Sequence, residues 1–189
     1  MKLSRTTLAV SLAATVLAVP AALAQAPAGM PPMPKPGPEH ELFKQDAGTW
    51  DATVEMWMAP GAPPSTSKGV ETNALGCGGL CLVSDFKGDM GGIPFHGHGT
   101  SAYDSTKKKY VGSWTDSMST GLSIGESTYD PAKKVATGYM EGPDMTGTVV
   151  KTKAVVEYKG DGSRVFTMYT KTPDGKEVPG MRITYTKRK

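Results

Sequence analysis

PFHGHGTSAYDSTKKKYVGSWTD, from Pro94 to Asp116, is the stretch whose reading decides the fold. It reads as strand, tight turn, strand, with aromatics on one face and glycines between them. Ile93, Phe95, Gly97, Gly99, Ser101 and Tyr103 share one side of the first strand. Tyr110, Gly112, Trp114 and Asp116 share the matching side of the second. Side chains alternate along a strand, so this aromatic face is expected to point inward. Its glycines leave room for large rings from neighbouring strands. His96, His98 and Thr100 then point outward.

The same turn design returns one hairpin later, in TYDPAKKVATGYM from Thr128 to Met140. Tyr103-Asp104 and Tyr129-Asp130 precede Lys107-Lys108 and Lys133-Lys134 at equal spacing. Two successive hairpins of one design indicate an antiparallel meander. Working outward, GTWDATVEMWM alternates cleanly, with Trp50, Ala52, Val54, Met56 and Met58 on one face. Further strands are expected over 69–75, 80–87, 93–103, 109–116, 121–129, 135–140, 148–158, 164–170 and 178–186. Lys159–Gly162 and Pro173–Gly175 are turn signals, because glycine tolerates positive φ and proline presets the turn entry. The only expected helix is Glu39 to Ala47, with Leu42 and Phe43 as its apolar face and Gly48 as its stop. The expectation is all-β: one closed antiparallel meander barrel of about ten strands with a short N-terminal helix. Closure removes the sheet edges that invite aggregation.

The N-terminus reads as an export signal. Lys2 and Arg5 precede an apolar run from Leu8 to Val19, and Ala22-Leu23-Ala24 is a small-x-small cleavage pattern. Cleavage is expected after Ala24, which implies a periplasmic or secreted protein with no stable membrane insertion afterwards. Residues 25–38 contain six prolines and read as an extended tether. Residues 39–189 form the domain. Without Lys2 and Arg5, 19 basic residues face 18 acidic ones, so the footprint of a nucleic-acid binder is missing.

GTWD at Gly48–Asp51, FKGDMGGIPFHGHG at Phe86–Gly99, YDSTKKKYVGSWTDSMSTG at Tyr103–Gly121 and the terminal ITYTKRK resemble an uncharacterised bacterial family, domain of unknown function fifteen-seventy-nine. That resemblance implies a lipocalin-like, or calycin, barrel, and it implies no activity. Gly48-Thr49-Trp50 is also similar to the G-x-W that opens the first lipocalin strand. The similarity implies a Trp50 buried at one barrel end, against a basic residue from a late strand. Arg182 is the first candidate partner and Arg188 the second.

Cys77 and Cys81, in CGGLC, are expected to pair in an exported chain. Free thiols and a redox or metal role are the alternatives. His96 and His98, with Met90 and the cysteines, make a weak metal or haem alternative, since no spacing is diagnostic. No nucleophile elbow lies near Ser113, Ser117 or Ser119, no catalytic constellation emerges, and no cofactor is implied. Met56, Met58, Met90, Met118, Met140, Met145, Met168 and Met181 lie in or near the strands, where methionine fills irregular apolar space and adapts to varied ligands. The leading expectation is a carrier of a small, mainly apolar ligand. Trp50, Met56, Phe95, Tyr103, Tyr110 and Trp114 would line its cavity, with Asp116 as a polar group near one end. The alternatives are an interaction module of the cell envelope and an enzymatic or metal-binding barrel using His96 and His98.

Overall fold

Ten antiparallel strands, each paired with its sequence neighbours, close into a barrel when the last meets the first. They are β1 (Gly48–Met56), β2 (Ser65–Gly76), β3 (Cys81–Met90), β4 (Ile93–Asp104), β5 (Lys109–Asp116), β6 (Ser123–Asp130), β7 (Val135–Pro143), β8 (Val149–Tyr158), β9 (Arg164–Lys171) and β10 (Glu177–Lys187). The coordinates are a computed structural model and describe residues 31–144 and 146–189. The signal, its cleavage site, the first part of the tether and Met145 lie outside the described residues. Residues 31–37 carry no regular structure and are mostly exposed. A 3-10 turn, Pro38–His40, leads into α1 (Glu41–Asp46).

Both repeated hairpins turn by one device. Asp104 Oδ1 accepts the N–H groups of Thr106 and Lys107 at 2.9 and 3.0 Å. Asp130 Oδ1 accepts those of Ala132 and Lys133 at 3.0 and 3.1 Å. Lys108 and Lys134 then take φ of 54° and 56°, the left-handed step that reverses the chain. Tyr103 pairs with Tyr110, and Asp130 with Val135, so the turn fixes the register of each strand pair.

The expected inward face of β4 and β5 is the inward face. A Cβ at Gly97 would overlap the Trp114 indole, and one at Gly99 would come within 2.9 Å of it. The two glycines are a slot for that ring. A second slot, at Gly69 and Gly88, receives Phe86. Two ends of the reading need correction. Ile93 is 57 % exposed, because it follows the Gly91-Gly92 turn at the lip of the barrel. Met58 is 81 % exposed, because β1 ends at Met56 and the chain leaves the sheet for the 57–64 loop.

The best-buried apolar cluster is Trp50, Ala52, Val54, Phe86, Ile183 and Tyr185. It comes from β1, β3 and β10, so the packed core occupies one side and one end of the barrel. Among the described residues, no helix is long and apolar enough to cross a membrane.

The slot gives a direct test. Gly97→Ala should cost about 1–3 kcal/mol, as overpacking of a filled interior does. At Gly125 an added Cβ would meet Met140 Cγ at 3.4 Å and Tyr139 O at 3.6 Å, ordinary contact distances. Gly125→Ala should therefore be neutral or slightly stabilising, since alanine loses less backbone entropy than glycine. Urea unfolding of the two variants checks both signs.

Candidate functional site

One end of the barrel is closed by α1 and by a buried polar cluster beneath it. Phe43 is the helix's buried anchor, edge-on to Tyr110 at 5.7 Å between ring centres. Tyr110 lies edge-on to Tyr103 at 5.2 Å between ring centres and donates from its hydroxyl to Glu39 O at 2.9 Å. Burial, with Glu39 and the neighbouring tyrosines, pushes the Tyr110 phenol up to about 12.

Trp50 is 2 % exposed and donates from Nε1 to Asp46 O at 2.8 Å. Its cationic partner is Arg164 of β9, whose guanidinium lies 4.5 Å from the Trp50 ring centre and 4.5 Å from that of Tyr185. Lys187 also lies over the indole, at 5.1 Å. Arg182 and Arg188 are not the partners. Arg182 sits outside the barrel, 5.3 Å over Trp57 and 3.8 Å from Glu55. Arg188 reaches Asp51 on the surface at 2.6 Å. Strand parity explains this. Arg164, Phe166 and Met168 share the inward side of β9, whereas Arg182 falls between the inward Met181 and Ile183.

Arg164 is held by two acids. Nη1 meets Asp46 at 2.9 Å and Nη2 meets Glu71. Tyr158 donates to Asp46 Oδ2 at 2.9 Å, and Asn73 Nδ2 reaches Glu71 at 2.8 Å and Asp46 O at 3.1 Å. Burial works against the guanidinium's charge, but Asp46 and Glu71 outweigh it and hold its pKa above the usual value. Burial pushes the Asp46 carboxyl up, against the opposing pull of Arg164 and Tyr158. Sequence reading missed Asp46, Glu71, Asn73 and Arg164. Polar residues on a strand read as outward, and only their parity with inward neighbours gave a signal.

Above this floor the barrel is hollow. A cavity of about 620 Å³ runs from Asp46, Glu71, Arg164 and Tyr185 towards Met118, Pro143 and Asp144 at the other end. Met56, Phe86, Phe95, Trp114, Phe166, Met168 and Met181 form an aromatic and thioether wall. Ser123, Gly125, Ser127, Ala136, Gly138, Gly142 and Ala154 form the opposite wall, from β6, β7 and β8. Small side chains there leave the space.

Of the residues expected to line a cavity, Met56, Phe95, Tyr110, Trp114 and Asp116 do so. Trp50 and Tyr103 do not: Trp50 is packed into the closed end, and Tyr103 packs edge-on against Tyr110 and His40. Asp116 Oδ2 accepts Trp114 Nε1 at 3.0 Å and its Oδ1 accepts Met118 N at 2.9 Å, so it fixes the indole and the rim loop together.

Cys77 and Cys81 form the disulfide, with Cα atoms 5.5 Å apart, in the β2–β3 hairpin at the closed end. Such a bond suits an oxidising compartment. His96 and His98 are exposed on the outer face. His98 Nδ1 lies 3.0 Å from Asp85 Oδ1, and His96 Nε2 lies 3.9 Å from it. Lys87 stands directly across from His96 and opposes a cation there. Among the described residues, no three metal-ligating side chains converge.

The family model described as "Protein of unknown function (DUF1579)" matches residues 35–187. The chain belongs to that family. Its closed antiparallel meander is the architecture that the lipocalin-like resemblance implied. Among solved structures, the crystal structure of Rv2717c from M. tuberculosis is similar, with a TM-score of 0.59 and 11 % identity, over 81 % of this chain and 99 % of that one. At that identity the likeness is one of fold. No curated protein matches.

Trp50→Ala should cost about 3–5 kcal/mol in denaturant melts, as truncation of a buried large aromatic does. A loss below about 1 kcal/mol would contradict the packing described.

Asp46 gives a pH prediction. Its folded pKa lies above the ordinary 3.8, so the folded state holds the proton more tightly. The resulting stability is fully present below pH 3.8 and is lost as pH rises through the raised value. The stability advantage of wild type over Asp46→Asn should therefore shrink as pH rises through that window. Urea melts of both proteins across the range check it, and parallel curves would contradict it.

Proposed function

We propose that this DUF1579 barrel is an exported binding protein for one small, mainly apolar ligand. The observation that carries the reading is the cavity of about 620 Å³ with its aromatic and methionine wall. Its size lies within the range of about 300–1,000 Å³ common to small-molecule sites. Met56, Phe95, Tyr110 and Trp114 would contact the ligand's apolar body, with Asp116 at the rim. Methionine adapts its shape to varied ligands, and aromatic faces supply large contact areas. A signal peptide cut after Ala24 would deliver the protein to the periplasm or medium, where the Cys77–Cys81 bond persists.

The hollow interior favours a carrier over an interaction module, for which a filled barrel would serve as well. The outward position of His96 and His98, away from the cavity, gives the metal or haem alternative no support.

Native mass spectrometry of protein purified from its own host should show a bound small molecule, and an apolar dye should bind the emptied protein. Ala154→Phe places a ring in the small-residue wall and should abolish dye binding while keeping the unfolding midpoint close to wild type. An emptied wild-type protein that binds no apolar dye would end the carrier reading.

A further inference from the structure

The cavity's charge is unusual for an apolar carrier and points to its ligand class. Arg164 is the one Lys, Arg or His among its described lining residues. An arginine at a cavity floor would ordinarily invite an anionic head group. Here both of its terminal nitrogens already face carboxylates. Nη1 is paired with Asp46 and Nη2 with Glu71, and the ring centres of Trp50 and Tyr185 each lie 4.5 Å from the guanidinium carbon. Nε–H is buried and without a protein partner. A carboxylate or phosphate approaching it would meet the two acids already paired there.

The acids are less fully spent. Asp46 and Glu71 share the single guanidinium. Asp116 and Asp144 line the upper cavity, and neither makes an ion pair among the described residues. Among the described residues, Asp116 receives the Trp114 and Met118 N–H groups, and Asp144 receives Thr146 and Thr148. Glu126 also borders the cavity, but its carboxylate pairs outside with Lys107 and Lys109. The formal charge facing the cavity is therefore negative. With Asp46 protonated the floor is neutral, and the rim acids still set the sign.

We propose that the cavity discriminates by charge, excluding anionic amphiphiles and accepting neutral or cationic ones with an apolar body. This rests on the carrier reading above. The head group sits near Asp116, where a donor or cation finds an acceptor and a carboxylate meets a like charge in a partly desolvated site. Without Lys2 and Arg5 the chain has 19 basic residues against 18 acidic ones, a formal net charge of +1, so its overall field does not favour cations. A preference for cations therefore cannot come from the protein's overall field.

The test uses the full chain and three probes of one length: dodecylamine, dodecanol and dodecanoate, each below its micelle concentration. Displacement of a bound apolar dye is read at neutral pH. Dodecanol and dodecylamine should displace the dye at concentrations at least about tenfold lower than dodecanoate, a gap of about 1.4 kcal/mol. Asp116→Asn keeps the side-chain shape and should narrow the gap between amine and carboxylate severalfold. Dodecanoate binding as tightly as the other two would overturn the proposal while leaving the carrier reading intact. A gap unchanged in Asp116→Asn would overturn the assignment of the head group to Asp116. Dye binding with displacement by none of the three would overturn the proposal, whereas failure of the dye itself removes the carrier reading and this inference together.

Discussion

The guanidinium of Arg164 is the constraint on which the closed end depends. A buried cation must be paired and hydrogen-bonded, or its desolvation cost is left uncompensated. Here the partners come from separate elements: Asp46 from α1, Trp50 from β1, Glu71 from β2 and Tyr185 from β10. Tyr158, at the end of β8, joins through Asp46. One side chain therefore spans the β1–β10 seam, the pairing most distant in sequence, which sets Trp50 opposite Lys187. Contacts of such range carry a large loop-closure cost, and the cluster offsets it where the barrel shuts. The same contacts hold α1 across the opening, since Trp50 and Asn73 both bond to the last helical carbonyl.

The hollow follows from an uneven division of side-chain volume. Large inward residues are concentrated on β1, β3, β4, β5, β9 and β10, where glycine slots let Phe86 and Trp114 lie flat against neighbouring strands. The inward positions of β6 to β8 are mostly Gly, Ser, Ala and Thr. The ring of strands is continuous, so the backbone cannot collapse onto the small-residue side. The void is a consequence of closure as much as of composition.

The meander was legible because its signals are local. Period-two alternation, two turns of one design and glycines opposite aromatics each act over a few residues, and all agree. Trp50 was legible as buried for the same reason. Its partner was not. Arg182 and Arg188 were attractive as late-strand cations, but neighbouring positions 181 and 183 already required Arg182 to face out. The inward acids were harder still, because Glu71 and Asn73 occupy an otherwise polar strand where alternation of hydrophobicity vanishes. Arg164 shares its parity with Phe166 and Met168, but nothing local distinguishes Glu71 or Asn73 from polar residues facing water. Charge pairing across residues 46, 71 and 164 is a property of the closed barrel, visible only once the strands are in register.

The disulfide, the helix and the ion cluster all belong to the same end. The connections of residues 57–64 and 117–122 lie at the other end, away from the Cys77–Cys81 bond and the Arg164 cluster. Resistance to opening should be graded along the barrel axis, with amide hydrogens near Trp50, Glu71 and Arg164 the slowest to exchange and those near Met90, Asp116 and Pro143 among the fastest. A molecule entering from that side would need only a local parting of strand ends. The cross-links thus gather at the base of the cup, and a parting of the brim would leave them untouched.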